Sequence, residues 1–279
     1  MKREITFPLF SKGDKRGILS IMKNRFLFFT ILILTFFSLN FANAGDWIDN
    51  DEYSAPTGTI EIDGNDDDWM WVEKYTDIEF LTANGDWTVF EEYNGGVWEG
   101  PEDHTTSVAF AWDEDYLYMY AFVIDDEHQN NNSWFDGDAV QVVIADNKQA
   151  TVTQLYNYAL TDGVDNILIG NETATAGGLQ PEDVAIVRDD DAKTTFYEAR
   201  YSSDILGLKG FEEDMQIGVG ICVNDGDADT PGQKGWSGWG PHAAVFGKNA
   251  EKTGLVTLSS DPIAVGARDK LTTTWGSVK

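Results

Sequence analysis

"TSVAFAWDEDYLYMYAFVI", residues 106–124, decides the fold class. In its first half Val108, Phe110 and Trp112 fall on one face of an extended chain, with Ala109 and Ala111 on the other. Alternation with period two is the signature of a β-strand. Its second half, 116–124, is apolar on both faces, as expected of a central strand covered on both sides. The acidic "WDEDY" between them (112–116) reads as a tight hairpin. Two antiparallel strands, one of them covered on both faces, require a layered β domain.

Further strand signals follow at 58–62, 138–145, 151–160, 184–188, 194–201, 214–223 and 253–259. Gly, Asn and Asp separate them at short intervals. The one helical signal is "SSDILGL" (202–208), one or two turns at most. The chain contains neither a repeat of 20–50 residues nor a Pro-rich linker. The expected fold is therefore all-β, an antiparallel β-sandwich with at most one short helix.

The ends of the chain read differently. After Met22, itself a candidate start, come Lys23 and Arg25, an apolar run from Phe26 to Phe41, and Ala42-Asn43-Ala44. A basic head, an apolar stretch and an A-x-A site make a secretory signal. The run is about 16 residues long, short of the roughly 20 that span a bilayer. Residues 1–44 are expected to be a leader and signal peptide cleaved after Ala44, which places the mature chain outside the cytoplasm without a membrane anchor. Residues 45–260 form the domain and 261–279 a tail, whose Leu271, Trp275 and Val278 make it more apolar than a plain linker.

Charge restricts the partners. The chain carries −29, but the first 44 residues hold seven of its 19 Lys and Arg and only two of its 48 Asp and Glu. The remaining 12 basic and 46 acidic residues give the mature part −34. That field repels nucleic acid and anionic membranes, and favours divalent cations and neutral ligands. All ten Trp follow residue 44, too aromatic a composition for disorder. Cys222 is the single cysteine, so an internal disulfide is excluded. It alternates with Gly218 and Gly220 in "IGVGICV", the pattern of a crowded, buried face.

Catalytic patterns are absent. His104, His128 and His242 are far apart and lack a second ligand at i+3 or i+4, which argues against zinc. "GWSGW" (235–239) starts like a nucleophile elbow, but Trp239 stands where the closing Gly belongs. Carboxylates are too numerous to single out a hydrolytic pair. The acidic loops instead offer oxygen ligands suited to Ca²⁺. Asp225, Asp227 and Asp229 alternate in "VNDGDADTPG", and Asp136 and Asp138 flank Gly137. "DDE" (125–127) and "DGNDDDW" (63–69) are further acidic turns. The Asp225 loop is not an EF-hand: counting from Asp225, Thr230 is sixth and Trp236 twelfth.

The remaining signal is aromatic. In "NNNSWFDGDAVQVVI" (130–144) Trp134 sits in a solvated loop just before a strand. Trp236 and Trp239 share "KGWSGWGP", read as a Gly-rich loop after a strand. Two exposed indoles facing each other form a slot for a flat ring, whose hydroxyls amides and carboxylates at the rim would read. Otherwise these Trp cap the ends of the sandwich core.

Six segments in order carry a resemblance: "IEIDGNDDDWMW", "VAFAWDEDYLYMYAFVIDDE", "SWFDGDAVQVVIAD", "FYEARYSSDILGL", "IGVGICVNDGD" and "GWSGWG". Together, over about residues 56–260, they resemble the family 9 carbohydrate-binding modules. These belong to a wider group of sandwiches that includes DOMON-like haem and sugar binders. The resemblance implies a secreted, non-catalytic, calcium-containing module that accompanies enzymes degrading xylan or glucan and clamps a chain end between two Trp. It assigns the first clamp to Trp134 and the second to Trp239 or Trp236. Gln141 stands where the family has a Glu, and one extra residue separates Trp134 from Asp138. On the next strand Tyr156, Asn157 and Tyr158 replace an expected basic residue. A DOMON-like electron-transfer protein, with Met119 and His128 or His242 on haem, is the rival reading, and an accessory part of a secreted glycoside hydrolase a third.

Overall fold

The computed structural model describes residues 51–76, 90–161, 166–173 and 178–260. The leader, the cleavage site and the 261–279 tail lie outside the described residues. In chain order the strands are β1 (Glu52–Pro56), β2 (Tyr75–Thr76), β3 (Glu91–Glu92), β4 (His104–Trp112), β5 (Tyr116–Asp125), β6 (Ala139–Ala145) and β7 (Val152–Leu160). They continue as β8 (Ile167–Asn171), β9 (Val184–Asp189), β10 (Thr194–Ser202), β11 (Gln216–Asp225), β12 (Gly235–Trp239) and β13 (Gly254–Ser259). A single turn of α-helix, α1 (Ser203–Leu206), follows β10 and stops at Gly207, whose φ of +72° favours glycine.

Two sheets form a β-sandwich. The smaller runs β2-β4-β5-β10-β9, and the larger runs β1-β13-β11-β6-β7-β8, with β12 and β3 continuing from β11. Among the described residues the strands pair antiparallel except β1 with β13, which pair parallel.

The quoted hairpin holds the centre of the smaller sheet, because β5 is paired on both sides. Asp113 closes its turn by accepting the amides of Asp115 and Tyr116, both at 2.9 Å. Leu117, Met119, Ala121 and Val123 enter the main core with Phe110, Val142, Tyr158, Tyr197 and Ile221. Each such side chain stabilises by roughly 1.5–3 kcal/mol when fully buried. Tyr118 and Tyr120 leave on the opposite face and pack under Ile60, Trp69 and Val72. This explains why β5 is apolar on both faces: a folded-over segment covers its outer one. Glu198 of β10 pins that segment, accepting Trp69 Nε1 and the Gly64 amide, both at 2.6 Å.

Two local expectations fail. Residues 58–62 are an extended lid without strand pairing: Ile60 is anchored by burial, and the Glu61 amide bonds Asp68 at 2.8 Å. "GWSGW" is a strand and no loop, paired with β11 from Ile221↔Trp239 to Asp225↔Gly235.

Candidate functional site

The face of the larger sheet turned away from the core carries the candidate site. Register places Gly170 (β8), Asn157 (β7), Gln141 (β6) and Cys222 (β11) in one row across the strands. Their neighbours Tyr156, Tyr158, Val140, Val142 and Ile221 point the other way, into the core. Because side chains alternate with period two, an apolar inner face leaves this polar row outside.

The row is hydrogen-bonded. Gln141 Nε2 donates to Asn224 Oδ1 at 3.2 Å, and Gln233 Nε2 donates to the same oxygen at 2.8 Å. Asn157 Nδ2 donates to Glu172 at 2.8 Å, and Lys248 Nζ reaches the other oxygen of Glu172 at 3.0 Å. Asn157 Oδ1 is buried without a hydrogen-bond partner. A buried amide oxygen left unpaired costs roughly 1–3 kcal/mol.

Two loops rise on either side of the row. On one side the 130–137 loop leans over the sheet, held by Asn224 Nδ2 donating to the Phe135 carbonyl at 3.0 Å. It carries Trp134, 42% exposed, and Phe135, 45% exposed. The indole lies face-down on Gly170: a Cβ there would fall on Cδ2, Cε2 and Cε3, the last two only 2.7 Å away. One face of Trp134 is thus seated on backbone and the other is open. The far side has Phe246, 75% exposed at a φ of +58°, and half-exposed Tyr93, which meet Trp236 edge-on at 5.5 Å and tilted at 5.2 Å. Between these loops Ala243 and Ala244 cover Val143 and Leu155.

A family model described as carbohydrate family 9 binding domain-like matches residues 72–261. The chain belongs to this family. Two solved structures of a carbohydrate binding module family 9 from Caldicellulosiruptor kristjanssonii share the fold, one in complex with cellotriose and one with glucose. The first has a TM-score of 0.54 at 17% identity and the second 0.54 at 16%. Each match covers 75% of this chain, and 94% and 96% of the respective structures. No curated protein matches the chain by sequence.

In this family 9 domain the Trp pair expected from sequence is not assembled. Trp239 is fully buried between the sheets, against Phe110 at 5.4 Å and Tyr53 at 6.3 Å, and cannot form a clamp wall. Its inward direction follows from its register with Ile221, itself a core residue. Trp236 does lie on the outer face, but it is covered by Tyr93 and Phe246 and packs on Cys222 and Val245. Tyr156 is likewise a core residue, its hydroxyl donating to the Ile205 carbonyl at 2.9 Å. Tyr158 faces the core too. Trp134, Gln141 and Asn157 share the outer face. Lys248 brings a basic group to this face from a distant loop, where the strand itself offers none. Met119 is buried in the core with the Tyr158 hydroxyl 3.8 Å from its sulfur.

The acidic residues collect at one end of the sandwich. Antiparallel pairing brings the start of β4 beside the end of β5, and the start of β6 beside the end of β11. Asp103, Asp126 and Asp227 there offer three carboxylate oxygens within 4.8 Å of one another. Burial, and then the charges of Asp225 and Asp103, push Asp227 up to about 6. Asp103 is raised by burial and by Asp225 and Asp126. Deeper in, Asp125, His128 and Asp138 form a second group. Burial and neighbouring Asp138 push Asp125 up to about 9, and burial and Asp225 hold Asp138 well above its ordinary value.

The expected calcium ligands are therefore redistributed. Asp227 joins the outer group and Asp138 the inner one. Asp225 is instead bonded to His104 Nδ1 at 3.1 Å. Asp136 accepts Asn131 Nδ2 at 2.9 Å and the Gln233 amide at 3.1 Å, bracing the Trp134 loop. Asp229 is exposed and belongs to neither group. The sequence flagged 125–127 as an acidic turn but gave no sign of Asp103, which only strand pairing brings near.

Proposed function

We propose that the chain is an exported, non-catalytic module that binds neutral gluco- or xylo-oligosaccharide on the outer face of its larger sheet. The observation that carries this reading is Trp134, half-exposed and seated on Gly170 beside a row of amides. The open indole face takes the apolar C–H face of a pyranose, at ~25 cal/mol per Å² removed from water. Glu172 and Lys248, accessible at the rim, are placed to read hydroxyls, each such bond adding about 1 kcal/mol net, with the buried amides of Gln141 and Asn157 beneath them. The unpaired Asn157 oxygen is an acceptor for one hydroxyl once a rim side chain moves aside. Phe246 and Tyr93, exposed on the far side of the row, offer a second apolar surface on the same face. Cellotriose and glucose, bound by the structurally similar modules, are the natural first ligands to try.

Calcium belongs to the same proposal. Asp103, Asp126 and Asp227 are an all-oxygen donor set, which fits Ca²⁺, and the ion would relieve the repulsion that raises Asp103 and Asp227. Its role there is to hold the β4, β5 and β11 ends together.

Isothermal titration with cellotriose and xylotriose tests the binding reading. Dissociation constants in the micromolar to millimolar range support it. Silence of both trisaccharides, and of a neutral-glycan array, would overturn it. Export is checked separately by sequencing the N-terminus of secreted protein, which should begin at Gly45.

A further inference from the structure

Within the inner Asp125–His128–Asp138 group, the Nδ1 atom of His128 is buried without a hydrogen-bond partner. Nε2 of the same ring lies 3.1 Å from the Leu160 carbonyl, an acceptor only, so Nε2 carries the proton. In a neutral ring Nδ1 is then a bare lone pair. That nitrogen is buried and makes no hydrogen bond, yet it stands 3.1 Å from Asp138 Oδ2. The separation is that of an ion pair, while the alignment is not that of a hydrogen bond. A lone pair held against a carboxylate oxygen is repulsive unless a proton or a metal ion lies between them.

The carboxylate oxygens here are firmly held. Asp138 Oδ2 accepts the Gln129 amide at 2.6 Å, and its Oδ1 accepts the Gly226 amide at 3.0 Å. Asp125 accepts the Glu127 amide at 3.1 Å and Arg188 Nη1 at 3.3 Å. Asp225 is tied to His104. Asp125, Asp138 and Asp225 thus crowd one small region with Arg188 as their nearest guanidinium. An imidazole whose second N–H rests on a backbone carbonyl, turned toward carboxylates, is how proteins orient a metal-ligating histidine.

We propose that Asp125, His128 and Asp138 bind a divalent transition ion of the zinc class, at a site separate from the all-oxygen Asp103–Asp126–Asp227 group. One oxygen of each Asp and a ring nitrogen of His128 lie within 4.8 Å of one another. Zn²⁺ takes such ligands at roughly 2.0–2.2 Å in a tetrahedron with edges of about 3.4 Å. The Nδ1–Oδ2 separation of 3.1 Å is close to such an edge. Ca²⁺ wants six to eight oxygens, a set this enclosed trio with its nitrogen donor does not offer. Three protein ligands leave a fourth position for water, and the bound ion would tie the end of β5 to the start of β6. The proposal is independent of the carbohydrate reading.

The test uses the full chain, stripped by chelator and titrated with Co²⁺ and then Zn²⁺ in saturating Ca²⁺. One equivalent of Co²⁺ should bind, giving visible d–d bands that Zn²⁺ abolishes. His128→Gln should lose the bands and weaken Zn²⁺ binding more than tenfold, while Asp227→Asn keeps both. Absence of stoichiometric binding, retention in His128→Gln, or equal loss in Asp227→Asn would each overturn the site. A ¹⁵N spectrum of the wild type keeps the test valid should His128→Gln fail to fold. Zn²⁺ should shift His128 Nδ1, whereas a doubly protonated ring indifferent to Zn²⁺ would identify a simple ion pair and sink the proposal.

Discussion

Trp134→Ala separates a binding surface from a packing surface. The indole is 42% exposed, with its covered face on Gly170. Taking about 200 Å² for a Trp side chain, roughly 85 Å² is open to a sugar, worth about 2 kcal/mol at ~25 cal/mol per Å². Removing it should weaken cellotriose binding about 30-fold, since each 1.4 kcal/mol is a factor of ten. The matching face of the sugar loses its cover too, so 30-fold is the smaller bound. Stability should fall by no more than about 2 kcal/mol, below the roughly 3–5 kcal/mol of a core Trp→Ala. Calorimetric titration and urea denaturation on the same variant measure both quantities. An affinity within threefold of wild type refutes the stacking argument. A stability loss above 3 kcal/mol would show that Trp134 is packing.

Trp239→Ala should do the opposite: lose roughly 3–5 kcal/mol of stability, with cellotriose affinity unchanged in the folded fraction. Gly170→Ala should lift the indole off its seat, because its Cβ would meet Cε2 and Cε3 at 2.7 Å; affinity should fall with little change in the denaturation midpoint. Calcium at a hundredfold excess over its dissociation constant should stabilise by about 2.7 kcal/mol, read as several degrees of melting temperature that Asp227→Asn abolishes. A melting curve indifferent to Ca²⁺ in zinc-free buffer would mean that the outer acids are only solvated.

The fold was legible because its determinants are local. The alternation in 106–112 and the doubly apolar 116–124 depend on nearest neighbours along the chain, and the structure makes them β4 and the central β5. The one-turn helix at 203–206 lies inside its expected span. Where a local pattern misled, a long-range partner had intervened. Residues 58–62 alternate like a strand but serve as a lid, because Trp69 behind them bonds Glu198 across the sheet.

The site divides along the same line. Sequence alone marked Trp134 as anomalous, since a Trp among Asn and Ser has no local reason to be there. It also marked the acidic turns. It could not tell which Trp of "GWSGW" turns outward, because that depends on the register of β12 against β11: Asn224↔Trp236 points one out and Ile221↔Trp239 buries the other. Nor could it pair His128 with Asp138, ten residues on, or Asp103 with Asp227. Those meetings are made by strand ends brought together through antiparallel pairing, and a side chain's spatial neighbours across a sheet leave no trace in its sequence neighbours.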